Sequence, residues 1–157
     1  MTAPTDTEAV ERFCARYATV RGSYAGIDAD CSAFAEGLPR VFVALLTHAR
    51  IERIAGLDLH VGPVGDWLAH ARERHLVMQS LADGLGNPSL ADMVPFGDTS
   101  QAFEVALERV SGHVVWLDPS RYDCGNEAVI AVVGESVEAW LEAMNAAVGI
   151  APTGDVR

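Results

Sequence analysis

The sequence predicts an α+β fold, and three observations carry that prediction. Apolar residues recur at helical spacing through roughly the first fifty residues, switch to period two between about residues 102 and 133, and return to helical spacing in one terminal stripe. Helices first, then an antiparallel meander, then a packed terminal helix describes a sheet set against N-terminal helices and a C-terminal helix.

Thr5 with Glu8 three residues on is a capping box, and Val10, Phe13, Cys14 and Tyr17 follow at helical spacing, so a first helix runs to about Gly22. Asp28 or Asp30 caps a short second helix that carries Cys31, Phe34 and Leu38 on one face. Pro39 stands where a first-turn proline is tolerated, and Phe42, Leu45, Leu46 and Ala49 continue an apolar face to about Arg50. Leu57, Leu59 and Val61 alternate with Asp58 and His60, the pattern of a short half-exposed strand, which Gly62, Pro63 and Gly65 end. Residues 66–74 are helical, with Trp67, Leu68 and Ala71 inward; continuation through Met78 and Leu81 is left open. Gly84, Gly86, Asn87 and Pro88 make residues 83–89 a loop.

Pro95-Phe96-Gly97-Asp98 reads as a turn that anchors a strand: proline fixes φ, phenylalanine fills the core, glycine permits positive φ and the aspartate bonds backbone beyond it. Phe103, Val105 and Leu107 then alternate with Glu104 and Glu108 in a first meander strand. Ser111-Gly112 turns the chain, residues 113–118 form a second strand and residues 128–133 a third. The third run has no polar member, which predicts a central strand covered on both faces or crossed by a helix. Ser136 caps the last helix, Glu138 sits in its first turn, and Val137, Trp140, Leu141, Met144 and Val148 form its stripe. Gly149 ends it, so residues 1–149 make one domain and 150–157 a frayed tail.

A chain of 157 residues, half of them hydrophobic and 21% charged, suits one self-sufficient domain. At that length roughly 70% of the unfolded surface is buried on folding, enough without disulfides or metal. The first eight residues hold neither a basic nor an apolar leader segment, and no stretch approaches the roughly 18 apolar residues of a membrane span, so a cytoplasmic protein is expected. Cys14, Cys31 and Cys124 are too few and too widely spaced for a disulfide framework or a zinc knuckle, and read as small buried hydrophobes, with a catalytic thiol as the alternative. The 22 acidic residues against 11 basic ones give a formal charge of -11. That balance argues against nucleic acid as a ligand and favours basic partners, although acidity also serves solubility alone.

Catalytic chemistry finds little support. Asp98 has no companion group at matched spacing, and among His48, His60, His70, His75 and His113 the pair His70 and His75 are five apart, not the four of a two-histidine metal face. No nucleophile-elbow, Walker or Rossmann glycine motif is present. Asp118-Pro119-Ser120 with His113 nearby reads as a strand end entering a turn before it reads as a hydrolase, and the acidic neighbours of Cys124 disfavour its thiolate. No cofactor, metal or catalytic residue is expected. The acidic groups that stand out are Glu104 and Glu108 on the polar face of the first meander strand, with Asp118, Asp123 and Glu127 around the following loop. They read either as a solvated face or as one patch around Trp116, Arg121 and Tyr122, aromatic and arginine anchors within a charged rim of the kind protein-binding hot spots use.

Three segments in order carry a resemblance. Leu38-Pro39 leads into Val41-Phe42-Val43-Ala44-Leu45-Leu46; Met93-Val94-Pro95-Phe96-Gly97-Asp98 precedes a strand and then Gly112-His113-Val114-Val115-Trp116-Leu117-Asp118; Glu135-Ser136-Val137-Glu138-Ala139-Trp140-Leu141 opens the last helix. From Ala33 to Met144 the chain resembles the SUKH superfamily, whose members include yeast cell-wall-synthesis regulators and bacterial immunity proteins against polymorphic toxins. The resemblance implies a protein that binds and neutralises a cognate toxin, such as a nuclease, by occluding its active surface; the charge balance adds the expectation that the toxin is basic, with the protein a monomer or homodimer. The alternatives are a regulatory scaffold of the same fold, and a small-ligand-binding protein or enzyme built on His60, His113 or Cys124.

Overall fold

The structure is a computed structural model and describes residues 6–17, 29–48, 67–99 and 101–147. Among them are five α-helices, α1 (Asp6–Tyr17), α2 (Ala29–Glu36), α3 (Arg40–His48), α4 (Trp67–Leu85) and α5 (Val137–Ala147), and four strands, β1 (Met93–Asp98), β2 (Glu104–Glu108), β3 (Val114–Leu117) and β4 (Val129–Gly134). The strands pair antiparallel in the order β1-β2-β3-β4, so the predicted α+β meander is what forms, with one strand more than expected at its start. The expected strand at residues 57–61 and the tail at 150–157 lie outside the described residues. No described helix is long and apolar enough to cross a membrane.

Pro39 sits just ahead of α3, where its carbonyl accepts from the amides of Phe42 (3.0 Å) and Val43 (3.1 Å). The helix α4 overruns expectation: it continues through residues 75–85, past the expected helix over 66–74 and into the expected loop at 83–89. Its buried stripe explains why, because Leu68, Ala71, His75, Met78 and Ala82 recur at spacings of three and four. The polar member of the stripe is satisfied: His75 Nδ1 donates to the carbonyl of Met93 at 2.7 Å, leaving Nε2 to accept from Arg109 at 3.4 Å. The helix stops where Gly86 adopts a φ of 67°. There the Asn87 amide reaches back to the Ala82 carbonyl at 3.0 Å, closing a left-handed glycine cap.

Both faces of the sheet carry a packed layer, the second leaving β4 partly open. Val94, Phe96, Val105, Leu107 and Val114 pack with α1, α3 and α5, while Met93, Ala106, Val115 and Leu117 pack with Met78, Ala82, Leu90, Tyr122 and Ala128. The first layer centres on aromatic rings: Phe96 meets Phe42 edge-on at 5.1 Å and Trp140 edge-on at 5.5 Å, and Phe13 meets Trp140 at 5.5 Å.

The apolar third run is not a central strand. β4 lies at the end of the strand order, and Ile130 (37%) and Val132 (53%) are exposed. An all-apolar strand mimics a doubly covered one in sequence, whereas here α5 follows directly and Val133 packs towards its layer. That junction is tight. A Cβ at Gly134 would stand 2.7 Å from Trp140 Cβ and 3.0 Å from the Ser136 carbonyl, so Gly134→Ala has to move backbone. It should cost about 1–3 kcal/mol in urea unfolding, as overpacked sites do.

Candidate functional site

The most structured polar site begins with a bulge in β1. Pairing steps from Pro95 opposite Ala106 to Gly97 opposite Val105, which makes Phe96 the extra residue and brings Asp98 directly opposite Glu104. The segment expected to be a turn is thus a strand: proline is tolerated in this edge strand, and the bulge supplies the irregularity that its Pro-Phe-Gly composition announces.

Glu104 points into the second layer, where Leu117 lies across from it, and is only 6% exposed. Its Oε2 accepts from Arg74 Nη2 of α4, and its Oε1 accepts from the hydroxyl of Tyr122, itself 7% exposed. Burial pushes the Tyr122 phenol well above its ordinary range, and the adjoining Glu104 charge and hydrogen bond push it further. Asp98 adds to that effect and Arg74 opposes it. These side chains line an open depression of about 550 Å³, with Thr99, Ala102 and Pro119 completing its walls. Thr99 Oγ1 accepts from the amides of Gln101 and Phe103, both at 3.2 Å, and fixes the β1–β2 connection, in which Ala102 takes a φ of 68°.

Tyr122 is held from the other side by a residue the sequence left in a loop. Buried Asn87 donates through Nδ2 to the carbonyls of Tyr122 (2.9 Å) and Gly125 (3.1 Å), while its Oδ1 accepts from the amide (3.3 Å) and hydroxyl (2.6 Å) of Ser89. The Asn-Pro step ahead of the 3₁₀ turn Pro88–Asp92 was the legible signal, since asparagine there caps a proline-started turn. Asn87→Ala orphans two carbonyls. It should cost about 1–3 kcal/mol and speed amide exchange across residues 118–128.

The residues expected to make one acidic patch separate into four places. Glu104 and Tyr122 are buried together and are not surface anchors. Glu108 lies at the other end of β2, where Ser111 Oγ donates to it at 2.5 Å and His113 Nδ1 stands 3.9 Å away. Trp116 is half-buried on the opposite layer, its ring 6.0 Å from that of Phe103. Asp118, Arg121, Asp123 and Glu127 do gather on the β3–β4 connection, the last three exposed. A strand's period of two accounts for the scatter: neighbours along β2 and β3 face opposite layers, and residues four apart lie at opposite ends.

On that connection Asp118 accepts from the amide (3.0 Å) and hydroxyl (2.7 Å) of Ser120, which hold its carboxyl below the usual range. Arg121 approaches the same carboxylate at 3.6 Å. Asp118 and Ser120 therefore make a turn cap, and His113 lies at the far end of β3, so the structure does not bring these three together as a hydrolase would require. Cys124 is exposed and its thiol donates to Asp123 at 3.4 Å; that bond and the nearby carboxylates raise it, against thiolate chemistry. His113 and Cys124 flank opposite ends of β3, and His60 lies outside the described residues. Among the described residues no three His, Cys, Asp or Glu side chains converge as a metal ion would need. Comparisons with protein-family models, with curated proteins and with solved structures find no match to this chain.

Proposed function

We propose that the protein is an immunity-type binder of SUKH-like kind, which holds a cognate toxin and neutralises it by occluding a basic active surface. The observation that carries this reading is the crowding of carboxylates at one end of the sheet. Asp98 and Glu104 stand in the depression, and Asp118, Asp123 and Glu127 stand on the connection that supplies its Pro119 and Tyr122 walls, with Arg74 and Arg121 interspersed. A formal charge of -11 makes that end attractive to a basic protein at long range, and the ordered motif segments from Ala33 to Met144 support the family reading.

The test is a binding and protection assay with the toxin-domain product of a neighbouring gene. A one-to-one complex that protects growth and weakens as salt rises is expected. The double variant Asp123→Lys/Glu127→Lys should lose about tenfold or more in affinity at low salt, mostly through slower association. If no neighbouring toxin is bound, the reading fails; if several unrelated proteins bind weakly, the regulatory scaffold takes its place.

A further inference from the structure

We propose that the outer edge of β4 is a docking site for a short extended segment of the partner protein, apolar along the strand and carrying a lysine or arginine at each end. This rests on the partner reading above and names the partner's chemistry at one surface.

The argument starts from the two edges of the sheet, which differ. Bulges interrupt both, but β1 is packed along α4 and carries Pro95, which has no N–H to offer another strand. β4 runs Val129-Ile130-Ala131-Val132-Val133-Gly134, with no proline and no charge to keep a further strand away. Among the described residues β3 is its only strand neighbour, so one row of its backbone amides and carbonyls has no strand partner there. Val132 shares the second face of the sheet with its partner Val115 yet is 53% exposed, and Ile130 beside it is 37% exposed. Backbone groups that give affinity and apolar side chains that give register are what strand addition uses. The pairing with β3 steps over Ile130 and Val133, and these two bulges twist β4, so it suits a short segment better than a long flat strand.

Charge selects the occupant. Glu127 and Glu135 stand exposed just beyond the two ends of β4. The stretch from Tyr122 to Ala147, which includes β4 and α5, holds no lysine, arginine or histidine, and neither does β3. A second copy is therefore a poor match: pairing β4 with its twin about Ala131 would bring Glu127 of each copy towards Glu135 of the other, between two chains of formal charge -11. An apolar segment with a cation at each end meets both carboxylates and covers Ile130 and Val132.

Titration of the full chain with a short acetylated and amidated peptide of alternating threonine and valine tests this, with arginine at both ends in one version and glutamate at both ends in the other. For the arginine version, saturable amide shifts confined to β3, β4 and residues 127 and 135, with slowed amide exchange in β4, are the expected result. Val132→Arg should abolish them, and Glu127→Gln/Glu135→Gln should weaken binding about threefold or more. Both variants change exposed side chains, so the core is kept. Equal binding of the glutamate version, or shifts spread over the acidic surface without slowed exchange, overturns the proposal. So does a concentration-dependent dimer that protects β4 without any peptide, since a second copy is then the occupant. If the toxin complex forms but Val132→Arg leaves its Kd unchanged, the edge site falls and the immunity reading stands. If the arginine peptide docks on β4 but no neighbouring toxin is bound, the immunity reading falls and the edge site stands.

Discussion

Phe96→Ala should lower the free energy of unfolding by about 3–5 kcal/mol, the range for truncating a fully buried phenylalanine. Phe96 has no exposed surface and meets the rings of Phe42 and Trp140 edge-on, so the truncation opens a cavity between α3, β1 and α5 at once. A domain of this size has about 5–15 kcal/mol to lose, which places the variant near the threshold of folding. Phe103→Ala supplies the contrast: that ring is half-buried and its one ring contact among the described residues is Trp116, at 6.0 Å, so its loss should cost about 1–2 kcal/mol. The effect of Phe96 extends beyond packing. As the extra residue of the β1 bulge it fixes the phase of the strand, and the phase brings Asp98 to Glu104. Urea unfolding gives the energies; displaced amide resonances at residues 98 and 104 in the surviving folded fraction should report the slipped register. Equal losses for the two variants would contradict the ring-centred core.

That bulge also shows where the sequence was legible and where it was not. The period-two runs gave β2, β3 and β4 to within a residue or so, and helical stripes gave α1, α2, α3 and α5, because each buries a regular face whose spacing survives in one dimension. β1 was hidden because Pro-Phe-Gly-Asp is turn chemistry, and only pairing with β2 makes a strand of it. The far half of α4 was hidden because its stripe runs through His75, a polar residue made tolerable by the Met93 carbonyl. The candidate site was legible only in part. The acidic β3–β4 connection could be read from local composition, whereas burial of Glu104 depends on Arg74, 30 residues earlier, and on Tyr122, 18 residues later. Nothing local distinguishes a glutamate on the polar face of a strand from one that three elements converge on.

The convergence on Glu104 yields the second large effect. Tyr122→Phe removes the hydroxyl that Glu104 Oε1 accepts from and keeps the ring in its place, so the loss isolates one hydrogen bond to a buried carboxylate. At pH 8 the variant should be less stable by about 1.5–3 kcal/mol, the worth of a bond to a charged group. The difference should then shrink in alkali. Burial and the Glu104 charge raise the Tyr122 phenol in the folded protein, whereas the unfolded chain ionises it near its ordinary value of about 10. The folded state therefore keeps a proton that the unfolded state gives up, so the contribution is fully present below about pH 10 and is lost as the pH rises above it. The slope is about 1.4 kcal/mol per pH unit, so by pH 11 the gap between the two proteins narrows by roughly that amount. Denaturant unfolding at pH 8 and 11 measures the gap directly. A gap that stays constant would mean that Tyr122 is not held by Glu104, and the carboxylate wall of the depression would lose the donor that orients it.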